Sequence, residues 1–357
     1  MKKLSIIILA IILVSTLSVI GSGGIETATA ADKVYTFLYT DHNPGNNWGS
    51  QHGTEPLFNR IEEASNGRIK IERYYGQTLA KGTDAWSAVL KGVADIGWCF
   101  HGYWPGMTPL SDVMALPFIQ FKSARQASGI FWKLWEKYPE IQREYTDIYP
   151  IVLWTTSPYH LITTKKQVKT LEDLKGMKLR IIGGPPTDAF RALGASPMMV
   201  GMSDCYQAMQ KGVLDGMAAP IGAVEIFNFY EVIKYLTDAP LYVGYFSMAM
   251  NKGKFESLPP DLQQVIRDVG GYKGSRWYAE YMSDIPVKKA FEEIADFEAK
   301  GGHKVEQYTM PDDEYARIVD IAGKPIWDTW VKKVEDKGLP GRAVLDDTLT
   351  LVKSEAP

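Results

Sequence analysis

Residues Thr170-Leu171-Glu172-Asp173-Leu174-Lys175-Gly176-Met177-Lys178-Leu179-Arg180 hold a helix start, a helix stop and a strand in one short run. Thr170 with an acidic residue three positions on, Asp173, matches a capping box, which satisfies the free N–H groups of a first turn. Lys175-Gly176 supplies the stop, since glycine takes the left-handed cap at no steric cost. Met177 to Ile182 then reads as a strand. Gly183-Gly184-Pro185-Pro186 follows, and proline suits the first turn of the next helix. Helix, strand and helix in succession form an α/β unit. Arg180 then sits at the carboxyl end of a strand, where open α/β sheets bind ligands.

The same alternation runs outward from this stretch. Strands are expected at 34–40, 69–74, 94–98, 151–154, 161–164, 214–218 and 242–250, and helices at 83–90, 124–137, 187–193 and 203–211. A further helix through Leu57 and Ile61 ends at Asn66-Gly67, and residues 41–49 (DHNPGNNWG) form a loop. From Pro260 to Lys300 the apolar spacing is helical over a long distance, with Pro286 as the place for a kink; 312–337 is helical again. Short strands alternating with helices imply α/β layers with largely parallel sheets.

Length and composition limit the function. The chain has 357 residues, 45% hydrophobic and 23% charged, enough for a sizeable core in two domains. The net charge is −3 without a long basic run, which argues against nucleic acid, since phosphate neutralisation needs clustered Lys and Arg. Lys2 and Lys3 precede an apolar stretch from Leu4 to Ile20, and Ala28-Thr29-Ala30 follows. This is the pattern of a cleaved export signal, residues 1–30; the competing reading is an uncleaved anchor of minimal length. After cleavage no direct membrane insertion is expected, and the protein is placed in the periplasm. Cys99 and Cys205 then permit a disulfide, although two separate buried thiols are the favoured reading.

TLEDLKGMKLR resembles the signature of TRAP-transporter solute-binding proteins, the DctP family. GASPMMV, SDCYQAMQKGVLDG, FYEVIKYLT and MAMNKGKFESLPPDLQQVI extend the resemblance downstream, and NGRIKIERYYGQTLA and AVLKGVADIGWCF extend it upstream. It covers the chain from about Val34 to about Lys337. The resemblance implies a two-lobed α/β periplasmic solute-binding fold with a hinge and a long spanning C-terminal helix. Lobe 1 would be residues 31–155 completed by about 241–275, and lobe 2 residues 156–240 completed by about 276–357. It also implies a small organic acid trapped by hinge closure and delivered to the small and large permease subunits, with no catalysis and no cofactor.

The family's carboxylate-binding arginine falls on Arg180. The residues alone leave a structural arginine open; the resemblance favours a ligand arginine, whose planar fork matches a carboxylate. A second family arginine corresponds to His160, or to Tyr159 if the register slips, while a histidine that only caps a strand end stays open. The sialic-acid branch has Glu and Arg where this chain has Phe100 and Tyr103. Its polar triplet before proline, where the keto-acid branch has a cation-binding acidic residue, is here Met217-Ala218-Ala219. No metal is therefore expected. Polyhydroxylated ligands would leave hydroxyls unpaired against such walls, at about 1–3 kcal/mol each. An apolar or aromatic monoacid fits better, walled by Trp98, Phe100, Tyr103, Trp104, Trp48, Met202 and Met217, with core packing the competing role for each aromatic. Gln77 stands between ligand contact and turn. Carboxylate and sulfonate are not distinguished, since both suit arginine. A sensing module for a membrane receptor is the alternative function, and an enzyme on the same fold a more remote one, because no HExxH, GxSxG or P-loop run occurs.

Overall fold

The described residues of this computed structural model are 33–357; the expected export segment, 1–30, lies outside them. Their strands are β1 (Tyr35–Thr40), β2 (Ile69–Tyr74), β3 (Ile96–Phe100), β4 (Ile148–Thr155), β5 (Tyr159–Thr163), β6 (Lys178–Arg180), β7 (Ser196–Met198), β8 (Gly216–Pro220), β9 (Tyr235–Asp238), β10 (Tyr245–Asn251) and β11 (Glu306–Thr309). One sheet has the order β2-β1-β3-β10-β4 and the other β11-β9-β5-β8-β6-β7. Helices cover both, the α/β layering expected from the alternation.

The sheets are less parallel than expected. β2, β1 and β3 run together, as do β8, β6 and β7. β10 opposes β3 and β4, and β5 opposes β8 and β9. The reversed strands are those beside the two crossings: β4 leads across to β5, and β9 leads back to β10. A chain that crosses and returns must run the other way. The crossings bond to each other, with Thr156 N–H donating to Gly244 O at 2.9 Å and Tyr159 N–H to Tyr242 O at 2.7 Å.

The capping box is present: the Thr170 N–H donates to the Asp173 carboxylate at 3.0 Å. It starts only a 3-10 turn, Leu171–Leu174. Gly176 takes φ +74°, as its role as a stop requires. Pro185 and Pro186 open the helix Pro185–Ala192. Strands β3 and β8 begin two residues later than their apolar patterns suggest. Asp95 stands just before β3; its N–H donates to Leu38 O and its carbonyl accepts from Asn251 N–H, both at 2.8 Å, while its carboxylate accepts from Leu38 N–H at 2.9 Å. Strands β7, β9 and β11 were not expected; they are three or four residues long, and β7 and β11 form the edges of the second sheet.

The long C-terminal helical run is divided. Helix Pro260–Val269 ends at Gly270, where a Cβ would lie 2.1 Å from Ile151 O. Helix then continues from Gly271 to Ala299, through a π-helical turn at Glu280–Asp284. The π turn immediately precedes Pro286, where the sequence suggested a kink. The proline lacks an N–H and its ring crowds the carbonyl four residues back, and a widened turn relieves both. Helix Gly341–Ser354, expected with the second lobe, packs on Ala124–Lys137 beside the first sheet, and Gln126 Nε2 donates to Val352 O at 3.1 Å. No helix among the described residues is long and apolar enough to cross a membrane.

Candidate functional site

Strand register builds an aromatic floor. Trp98 and Phe100 lie two residues apart on β3 and so share a face. Phe246 on β10 pairs with Phe100 on one side and with Trp154 of β4 on the other. The rings stack in a row: Phe100 to Phe246 at 4.5 Å and Phe246 to Trp154 at 4.2 Å between centroids. All four line a cleft between the two sheets. Its far wall is apolar too, with Ile226 and Phe227 after β8 and Met202 beyond β7. Met282 and Ser283 enter from the π turn of the long helix.

At one end of the cleft the wall becomes polar. Arg180 is fully buried behind Phe100, its guanidinium carbon 5.8 Å from the ring centroid. Its Nε–H donates to Val200 O at 3.2 Å. Its Nη1 and Nη2 groups are buried and have no hydrogen-bond partner among the described residues. Burial acts against its charge, while Cys205, Tyr159, Tyr103 and Tyr242 support it and the balance is upward. No carboxylate pairs with it among the described residues. The Tyr103 hydroxyl accepts from Met202 N–H at 2.9 Å, which leaves its own proton free to donate. Tyr159 lines the cleft beside it, and burial pushes its phenol up to about 12 against the pull of Arg180. A buried fork with two unpartnered N–H₂ groups, beside two phenols, has the donor geometry that suits a planar anion.

Of the expected residues, Tyr159, Trp98, Phe100, Tyr103 and Met202 line this cleft, and Arg180 lies buried behind it against Phe100. Three expected residues lie elsewhere. His160 follows Tyr159 on β5 and faces the other way, its Nδ1 3.0 Å from an Asp238 oxygen and 3.2 Å from Ala239 N. Met217 is fully buried in the second lobe's core with Ile162 and Leu236. Trp48 stacks on His52 at 3.7 Å and has Lys289 Nζ 5.1 Å from its ring, outside the cleft lining. Of the two further candidates, Trp104 donates to Thr83 O at 2.8 Å, and Gln77 holds a turn by accepting from Gly82 N–H at 3.1 Å. Cys99 and Cys205 are free and buried, as favoured. Among the described residues no His, Cys, Asp and Glu group could hold a metal ion.

Sequence reasoning missed His42, Asn43, Trp154, Phe246, Met282 and Ser283. One signal was available: His42 and Asn43 open the loop at the carboxyl end of β1, the position that singled out Arg180 on β6.

Comparison with known proteins gives these residues a context. The family model for bacterial extracellular solute-binding protein, family 7 (DctP), matches residues 42–333. A TRAP solute-binding protein from Rhodoferax ferrireducens T118, solved with copurified benzoate, is 25% identical with a TM-score of 0.82; the match covers 90% of this chain and 98% of that one. A marine metagenome TRAP protein specific for aromatic acid ligands, solved with metahydroxyphenylacetate, is 25% identical with a TM-score of 0.83, covering 91% and 100%. A third, from Chromohalobacter salexigens DSM 3043 with bound d-glucuronate, is 19% identical with a TM-score of 0.75, covering 87% and 99%, and shares the fold.

Proposed function

The chain belongs to the DctP family, family 7 of the bacterial extracellular solute-binding proteins, and from that premise we propose that its ligand is a small monocarboxylate with an aromatic or apolar body. It is a solute receptor of the TRAP type, in a family of receptors and not of enzymes. The observation that carries the ligand reading is Arg180: a fully buried guanidinium whose two terminal N–H₂ groups have no partner among the described residues. An uncompensated buried charge costs several kcal/mol, and a ligand carboxylate supplies the missing partner. Tyr103 and Tyr159 donate to the same anion. The stacked rings of Phe100, Phe246 and Trp154 receive the body of the ligand.

Closure follows from the two crossings, at 155–159 and 239–245, and from the long helix. These connections let residues 34–155 move as lobe 1 against 156–240 as lobe 2. The ligand selects the closed form because only there do Arg180 and the aromatic floor meet it together. The closed surface is then read by the small and large permease subunits. Residues 1–30 direct export to the periplasm. The relatives' benzoate and metahydroxyphenylacetate agree with this ligand class. Glucuronate does not, since its ring hydroxyls would face Phe100, Phe246, Ile226 and Phe227.

A thermal-shift series tests the reading. Stabilisation follows RT ln(1 + [L]/Kd), so a micromolar ligand at millimolar concentration contributes about 4 kcal/mol. Aromatic monoacids should raise the melting temperature while uronates and C4-dicarboxylates do not. Stabilisation by uronates or dicarboxylates alone would overturn the ligand class and leave the family intact.

A further inference from the structure

Of the polar side chains that line the cleft, Asn43, Thr156 and Ser283 hydrogen-bond within the fold, to Asp41, Gly244 N–H and Ser157 N–H, whereas the imidazole of His42 does not among the described residues. His42 is 6% exposed and lines the cleft. Its ring lies 4.5 Å from Trp98 and 6.1 Å from Phe227, between the aromatic floor and the opposite wall. Its Nδ1 edge is pressed on Gly82, where a Cβ would come within 2.4 Å, so only glycine leaves room for the ring.

The other four histidines all have partners. His101 contacts Ser247 and Thr108, one through each ring nitrogen, at 3.0 and 3.2 Å. His160 meets Asp238 and Ala239, His303 meets Ile233 O, and His52 meets Trp48 O. The His42 ring nitrogens bond to nothing among the described residues. Burial first, and Arg180 second, push the imidazole pKa down to about 3, so the ring stays neutral at ordinary pH. A neutral imidazole offers one donor and one acceptor and no charge. A second carboxylate beside it would have no cation to pair with, whereas a hydroxyl can both give and take a hydrogen bond.

We infer that His42 is a specificity-determining residue that hydrogen-bonds a hydroxyl group of the ligand, so that the receptor prefers hydroxylated aromatic monoacids over their unsubstituted and dicarboxylic counterparts. This rests on the aromatic-acid reading above.

Calorimetric titration of the purified protein tests it with benzoate, its three monohydroxy isomers, phenylacetate, mandelate and terephthalate. At least one hydroxylated acid should bind about tenfold tighter than its parent, the discrimination expected when a buried polar group is left unpaired. In His42→Leu that ratio should fall to near one, and in His42→Gln, whose amide can still give and take a hydrogen bond, part of it should remain. Equal affinity of every hydroxylated acid and its parent would overturn the inference, and that comparison needs no variant. Survival of the full ratio in His42→Leu would also overturn it. Binding of the unsubstituted acids without discrimination leaves the proposed function standing; failure of every acid in the series removes both.

Discussion

Replacing Arg180 with methionine should act in opposite directions on binding and on the free protein. The guanidinium is fully buried, and among the described residues only Nε–H of its five N–H donors has a partner, Val200 O at 3.2 Å. Losing one member of a desolvated charge pair costs about 2–5 kcal/mol, so a carboxylate ligand should bind about 30- to 5,000-fold more weakly to Arg180→Met. In the free protein no carboxylate is orphaned by the change. Replacing an uncompensated buried cation with an apolar side chain of similar length is commonly neutral or stabilising by about 1–4 kcal/mol. At about 2 °C per kcal/mol for a chain of this size, the melting temperature should stay level or rise by a few degrees. Calorimetric titration and scanning calorimetry read the two effects separately. Ligand affinity within threefold of the parent protein would refute the reasoning for the site. A fall of more than about 5 °C would show that Arg180 is a structural residue with a partner in the fold.

Asp112→Asn should gain more stability at pH 8 than at pH 5. Burial raises the Asp112 carboxyl to about 7 while it accepts from Tyr245 at 2.7 Å. Its contribution is therefore full below the unfolded pKa near 4 and is lost as pH rises through 7. Equal changes in melting temperature at the two pH values would contradict this. Gly244→Ala would place a Cβ 2.7 Å from the Tyr159 hydroxyl and 3.2 Å from Phe100. Overpacking of about 1–3 kcal/mol at the crossing should lower the melting temperature and weaken ligand binding; a variant with both unchanged would show that the crossing can yield. Cys99 and Cys205 are free, so a thiol titration of the denatured, unreduced protein should count two, and a reductant should not move the melting temperature. A count of zero would mean that they pair.

Local chemistry was legible in the sequence, and long-range pairing was not. The run 170–186 contains its own caps and stops, and these place Arg180 at a strand end without reference to any other part of the chain. Trp98 and Phe100 follow from alternation within one strand. Trp154 and Phe246 reach the same floor only through the register of β10 against β3 and β4, which joins segments some 90 to 150 residues apart and leaves no mark in either. Tyr159 and His160 show a different limit. Adjacent strand residues face opposite sides, so only one can meet the ligand, and the choice depends on which face β5 turns toward β6 and β8. Met217 carries the apolar character of a cleft wall but faces the core. Met282 and Ser283 were hidden because apolar spacing reads a regular helix, and a π turn changes which residues point inward.

The central claim is that Arg180 receives the carboxylate of an aromatic monoacid inside the cleft. A crystal structure of the protein grown with the tightest-binding acid of the series tests it most directly. The account predicts both carboxylate oxygens about 2.7–2.9 Å from the Nη1 and Nη2 groups of Arg180, with the ring over Phe246 and Trp154. A carboxylate bound elsewhere, or an Arg180 paired with a protein carboxylate in the complex, would contradict it.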